Sequence, residues 1–225
     1  MIQITLVQIN PEIPFQSTLL PLLSLERREK ILKYKNTEDK KRSMLAELLI
    51  RTAAVNSCGL TPDQIKISYN PYGKPYIANL RHFKFNISHS GKYVAIATSK
   101  YKIGVDIEQI QNIDSGIAKR FFTPGEYAYI CNCKDPKAAF YQMWTLKESY
   151  IKAIGKGLHL PLNAFEIKID NQTAFLKSYN KYNLMFTYMQ LDKYMLALCH
   201  QERITNPAIT LVHESDFYDY FRTWI

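Results

Sequence analysis

The chain has 225 residues, 47% hydrophobic and 22% charged, which is enough to bury a core without staples and argues against disorder. Its 29 Lys and Arg against 20 Asp and Glu leave a net charge of +9, pointing to an anionic partner: nucleic acid, a phosphorylated small molecule, an acidic protein or an anionic membrane surface. No run approaches a membrane span, the start lacks a signal-peptide layout, and Cys58, Cys131, Cys133 and Cys199 are too sparse for a disulfide framework or a zinc site, so a reduced cytoplasmic protein is expected.

Residues 2–9 alternate weakly and suggest a first strand. A helix is expected over residues 24–34. A second should run from a cap at Asn36 or Thr37 to about Ser57, closed by Gly59. Much of the positive charge lies in "ERREKILKYKNTEDKKR", residues 26–42, which reads either as a solvated helical face or as an anion-binding surface. "IKISY" and "FKFNIS" look like strands separated by a "NPYGKPY" turn. "YVAIATS" follows "HSGK", and a further strand follows "KYK"; both gaps suit hairpin turns.

Residues 113–122 read as a helix. "TPGEY" has the form of a helix start, with Thr123 at the N-cap, Pro124 at the first position and Glu126 completing a capping box. A longer helix is expected over residues 137–154, stopped by Gly155 and Gly157. "FEIKI", "NLMFTYMQL" and "YMLALCH" are strand-like, and a short aromatic tail ends the chain. Helices then a meander, twice over, imply two α+β halves dividing near residues 100–104.

In "KIGVDIEQI", residues 102–110, Ile103, Val105 and Ile107 share one parity while Asp106 and Glu108 share the other. The pattern predicts a half-buried strand with two carboxylates about 6–7 Å apart on its open face. Water on a wet face is the ordinary reading; the alternative is a cation relieving their repulsion. On the 137–154 helix, Met143, Leu146, Tyr150 and Ile154 form a core stripe, and Trp144, Glu148, Lys152 and Gly155 form a second. Glu148 and Lys152 could be a plain surface pair, but an aromatic and a bare glycine on that stripe suggest that it meets something else. Asp106, Glu108 and Glu148 are hard oxygen donors suited to Mg²⁺. In "NISHSG", Ser88, Ser90 and His89 can donate to anions. His89, and Lys74 in "YGKP", also read as ordinary turn residues.

"FNISHSG", "IGVDIE", "FFTPGEY" and "WTLKESYIKAIGKGL", in that order and spacing, resemble the Sfp-type 4′-phosphopantetheinyl transferases, which activate carrier proteins of peptide and polyketide synthases. With "YGKP" and the basic helix, the resemblance runs from about residue 25 to 200. It implies an α+β pseudo-dimer of halves 1–103 and 104–225, each a helix set on an antiparallel sheet, with the active site in the cleft between them. It implies transfer of the 4′-phosphopantetheine arm of coenzyme A to a serine of apo acyl or peptidyl carrier domains by a cytoplasmic monomer, with release of 3′,5′-ADP. The metal would be Mg²⁺, with Mn²⁺ as a substitute, held by Asp106, Glu108 and Glu148. Lys74, Ser88, His89 and Lys152 would contact the phosphates, and Arg27, Lys30 and Arg42 the 3′-phosphate. Glu148 is the implied base, directly or through a metal-bound water, with Lys152 beside it. Glu126 matches a family glutamate near the reacting centre, although its capping role also explains it. A metal-dependent nuclease would use the same carboxylates and basic surface, and a basic nucleic-acid-binding module would need the positive charge but no acidic cluster; neither accounts for the ordered motifs. No nucleic-acid or membrane partner is therefore expected.

Overall fold

The computed structural model describes residues 1–113, 115–178, 181–202 and 207–222. The first strand is β1 (Gln3–Gln8), with Ile4, Leu6 and Val7 buried. The Ser24 hydroxyl accepts from the Arg27 N–H to start α1 (Leu25–Lys33), and Asn36 caps α2 (Thr37–Cys58) in the same way through Glu38. Gly59, at φ +65°, closes α2 in the left-handed conformation. A ribbon of β2 (Ile67–Tyr69) and β3 (Pro75–Ile77) precedes the hairpin of β4 (Lys84–Ser90) and β5 (Tyr93–Ser99).

The second half repeats the plan. β6 (Ile103–Gln109) leads to three helices: α3 (Ser115–Phe121), α4 (Pro124–Asn132) and α5 (Pro136–Ile154). The helix expected over 113–122 is α3, with Asp114 outside the described residues. A ribbon of β7 (Ile167–Asp170) and β8 (Thr173–Leu176) is followed by the hairpin of β9 (Met185–Leu191) and β10 (Tyr194–His200). The chain then returns through β11 (Ile209–His213) and α6 (Glu214–Arg222).

Among the described residues, one sheet has the order β11-β1-β5-β4 and a second the order β6-β10-β9. α2 packs on the first sheet and α5 on the second. The two sheets share a core of Ile2, Ile4, Leu6, Ala95, Ala97, Ile103, Val105, Ile107, Tyr194, Leu196 and Leu198. That common core holds the two halves against each other.

Three expectations are corrected here. The "KYK" segment is not a hairpin, because β6 pairs with β10 and not with β5. The free edge of β6 faces β4 instead. Val105 N–H donates to Asn86 Oδ1 (2.8 Å), Ile107 N–H to Ser88 Oγ (3.3 Å) and Gln109 N–H to Ser90 Oγ (3.0 Å). Side chains on alternate β4 residues thus stand in for the carbonyls of a neighbouring strand.

β6 is also buried on both faces rather than one: Ile103, Val105 and Ile107 are fully enclosed and Asp106 is 2% exposed. The backbone of α5 crosses the second face, where a Cβ on Gly104 would lie 2.0 Å from the Ser149 carbonyl oxygen. The supposedly wet face is therefore a helix–strand contact.

The aromatic tail, grouped by sequence with the second half, packs on the first. β11 pairs in parallel with β1, and Phe217, Tyr218 and Phe221 of α6 join the core around α2; residues 223–225 lie outside the described residues. Glu214 anchors this return. It accepts from Asn10 N–H and from the Tyr218 hydroxyl, both at 2.7 Å, and pairs with Lys41 at 3.4 Å. Lys41 is 1% exposed, so the basic run at residues 26–42 is not simply a solvated face.

Candidate active site

A cavity of about 450 Å³ opens between the halves. Arg27 and Lys30 of α1, Arg42 of α2 and Ser88 and His89 of β4 line it from the first half. Asp106 and Glu108 of β6 and Trp144, Glu148 and Lys152 of α5 line it from the second. The site residues singled out in the sequence are brought together here except Glu126, Lys74 and Ser90, which are not in the lining.

The outer end is cationic. Lys30 is exposed and has no ion-pair partner among the described residues. Arg27 lies 3.4 Å from buried Glu47 and donates to the Tyr69 hydroxyl at 3.2 Å. Arg42 is held by Asp39 at 2.6 Å and donates to the Gly91 carbonyl at 2.9 Å, so it braces the β4–β5 turn as well as adding charge.

The inner end is acidic. Asp106 Oδ1 accepts from Ser88 Oγ (2.9 Å) and from Lys152 Nζ (2.6 Å), while Oδ2 is buried without a hydrogen-bond partner. Ser90 Oγ donates to Glu108 Oε2 at 2.7 Å. Burial pushes Asp106 above the usual carboxylate range, against the pull of Lys152 and Ser88. Burial and then Asp106 push Glu108 up to about 7, and the same two causes raise Glu148. Three carboxylates that each resist ionisation, one with a spare buried oxygen, form a wall short of positive charge. Among the described residues no group of three or more His, Cys, Asp or Glu side chains is placed to hold a metal ion as the side chains stand; the Lys152 ammonium and two serine hydroxyls occupy part of the donor set. By donor type and by the unpartnered Oδ2, the wall fits a hard divalent cation.

Glu126 lies elsewhere. Its Oε2 accepts from Thr123 N–H at 2.9 Å, completing the capping box, and its Oε1 accepts from Ile167 N–H at 2.8 Å. Oε1 also pairs with Lys147, whose ammonium donates to the Phe165 carbonyl at 2.7 Å. Both side chains are fully enclosed, so Glu126 ties α4 to α5 and β7 and presents no face to the cleft. Lys74 is also turned away. Its Nζ donates to the carbonyls of Lys152 (2.6 Å), Ile103 (3.0 Å) and Ala153 (3.4 Å), although its neighbours Gly73 and Pro75 line the cavity.

Sequence reasoning missed Tyr69, Tyr34 and Asn86 in the lining. Asn86 had a visible signal: Asn86, Ser88 and Ser90 put a polar row on one face of a strand. Tyr34 and Tyr69 carried none, because their position depends on how α1 and β2 meet across the fold.

Two family models match the chain. The 4′-phosphopantetheinyl transferase superfamily model covers residues 102–203, and a model of the N-terminal part of a 4′-phosphopantetheinyl transferase covers residues 10–101. The two matches divide the chain at the junction of its halves. A 4′-phosphopantetheinyl transferase of Bacillus subtilis is 38% identical over 82% of this chain and 84% of its own length. The gsp 4′-phosphopantetheinyl transferase of Aneurinibacillus migulanus is 36% identical over 88% and 85%. The Sfp 4′-phosphopantetheinyl transferase of Bacillus subtilis (strain 168) is 37% identical over 86% and 88%. The chain belongs to the 4′-phosphopantetheinyl transferase superfamily.

Proposed function

We infer that the protein transfers the 4′-phosphopantetheine arm of coenzyme A to a serine of an apo carrier domain, of the peptide- or polyketide-synthase type, and releases 3′,5′-ADP. One observation carries this reading beyond family membership: a single cleft, built by both halves, joins a cationic end to three carboxylates whose burial opposes their ionisation. Such a site suits a ligand with a distal phosphate and a reacting diphosphate.

In this reading Lys30 and Arg27 take the 3′-phosphate. Lys152, Ser88 and His89 face the diphosphate. A divalent cation, Mg²⁺ or Mn²⁺, held by Asp106, Glu108 and Glu148, would neutralise charge on the diphosphate oxygens. The carrier serine oxygen attacks the phosphorus that bears the arm, the bond to the ADP oxygen breaks, and Glu148 accepts the serine proton. Lys152 stabilises the charge that gathers on the departing phosphate, where fixed cations contribute most to phosphoryl transfer.

Both walls of the cleft come from one chain, which supports action as a monomer. Among the described residues no helix is long and apolar enough to cross a membrane. The free cysteines Cys58, Cys131, Cys133 and Cys199 are in keeping with a reducing, cytoplasmic setting.

The test is incubation with coenzyme A, Mg²⁺ and a panel of apo carriers, followed by mass spectrometry of the carrier. A gain of one phosphopantetheine per carrier is expected. Unmodified carriers throughout the panel would reject the reading.

A further inference from the structure

The turn from Asn70 to Lys74 belongs to the first half, yet it is bonded to the end of α5 in the second. It is closed on itself: Asn70 Oδ1 accepts from Tyr72 N–H (2.9 Å) and Lys74 N–H (2.8 Å), and Gly73, at φ +83°, donates to the Asn70 carbonyl (3.0 Å). Outward, Asn70 Nδ2 donates to the Gly155 carbonyl at 2.8 Å. The Lys74 ammonium meets the carbonyls of Lys152 and Ala153 in the last turn of α5, together with that of Ile103 at the start of β6.

A helix leaves its last carbonyls without partners and carries partial negative charge at that end. Here the missing donors, and a cation, come from the opposite half of the molecule. Gly155, at φ +78°, closes α5 in the left-handed conformation. A Cβ there would sit 3.0 Å from Lys74 Cδ and 3.4 Å from Asn70 Nδ2, so the stem of Lys74 crosses the helix end where Gly155 leaves room.

We propose that Lys74 is a positioning residue, which sets the aim of Lys152 by gripping its backbone carbonyl and does not itself contact coenzyme A. An ammonium has three hydrogens, and three carbonyls take them. Burial, with Lys102 next, draws Lys74 down to about 8, which leaves it a cation at neutral pH. At the other end of the same residue, the Lys152 ammonium bridges Asp106 and Ser88. The grip on the Lys152 backbone fixes the base from which that side chain reaches into the cleft. Because Gly73 and Pro75 line the cavity, the turn that borders the ligand also holds the helix that carries the cation. The inference rests on the reading of Lys152 as a phosphate-facing cation.

The test is a double-mutant cycle. Lys74→Met keeps the stem beside Gly155 and deletes the charge; kcat/KM for coenzyme A is measured with and without Lys152→Ala, and thermal melting checks the fold. Residues that act through one another are non-additive. Lys74→Met is expected to lower kcat/KM about tenfold in the parent protein and less than about twofold where Lys152 is already Ala. Losses that multiply, as two independent phosphate ligands would give, overturn the proposal, and so does a Lys74→Met variant of full activity. If Lys74→Met melts out, Asn70→Ala replaces it: this removes the turn's bond to Gly155, and its loss must likewise vanish in the Lys152→Ala background. A fully active Lys152→Ala variant would remove the underlying reading, and the positioning role with it. A costly Lys152→Ala with additive Lys74 losses would sink the positioning role alone.

Discussion

The ammonium of Lys152, on α5, lies 2.6 Å from Asp106 Oδ1, on β6, and 2.8 Å from the Ser88 hydroxyl, on β4. One side chain thus joins an element of the first half to two of the second, at the point where β4 and β6 run side by side. Lys152 is the cation nearest a wall of three acids, and it leaves Asp106 Oδ2 unpartnered. That arrangement makes Asp106 the residue whose loss should separate activity from folding.

Asp106→Asn keeps the volume and one acceptor oxygen of the side chain and removes its charge. Turnover should fall about a hundredfold or more, the scale seen when a ligand or oriented charge is lost at such a site. The thermal midpoint should move by only a few degrees. Retention of most activity in Asp106→Asn, or full activity in EDTA, would contradict the role given to this wall.

Glu108 gives the site a pH signature. Its pKa in the folded chain is about 7, against an ordinary 4.5. Between those values the folded state keeps a proton that the unfolded chain has released. The stabilising contribution is therefore complete below about 4.5 and is lost as pH rises to about 7. Asp106 and Glu148 act in the same sense. His200, buried and held low, acts in the opposite one, so the comparison must be between variants. In EDTA, Glu108→Gln should melt close to the parent protein at pH 4.5 and above it at pH 8. A gap of constant size across that range would mean that Glu108 is not desolvated in the folded protein.

How far the cleft was legible in the sequence depended on the range of the interactions involved. Asp106, Glu108, Ser88, Glu148 and Lys152 stood out because strand and helix periodicities put them on common faces, and the structure aligns those faces. The burial of β6 on both sides was not visible, since it depends on α5 crossing at Gly104, a contact between distant segments. The return of α6 to the first half was hidden for the same reason. Glu126 was ambiguous: a capping box is a local signal, whereas the buried ion pair with Lys147 that explains Glu126 forms only in the fold.

That pair has its own consequence. Glu126→Gln would leave the enclosed ammonium of Lys147 without a counterion, which typically costs about 3–5 kcal/mol. The denaturation midpoint should drop accordingly, and adding Lys147→Met should recover much of the loss. The folded fraction should keep its KM for coenzyme A. Normal stability with abolished turnover would instead make Glu126 part of the chemistry.

The cationic end can be tested through coenzyme A and its 3′-dephospho form. Lys30 is the clean probe, because it lines the cavity without bracing other residues. Arg27 and Arg42 would not serve as well: Arg27 supports Glu47 and Tyr69, and Arg42 holds the Gly91 carbonyl beside His89 and Ser90. A charge-assisted hydrogen bond contributes about 1.5–3 kcal/mol, or roughly 10- to 150-fold in affinity. Lys30→Ala should raise KM for coenzyme A toward that range and leave KM for the dephospho form nearly unchanged. Arg42→Ala should raise both, since the loosened turn carries groups that face the diphosphate. If Lys30→Ala weakened both substrates equally, the 3′-phosphate would have to lie elsewhere along the cleft. If it raised only the carrier's KM, with a weaker salt dependence, α1 would be the docking surface for the acidic carrier instead.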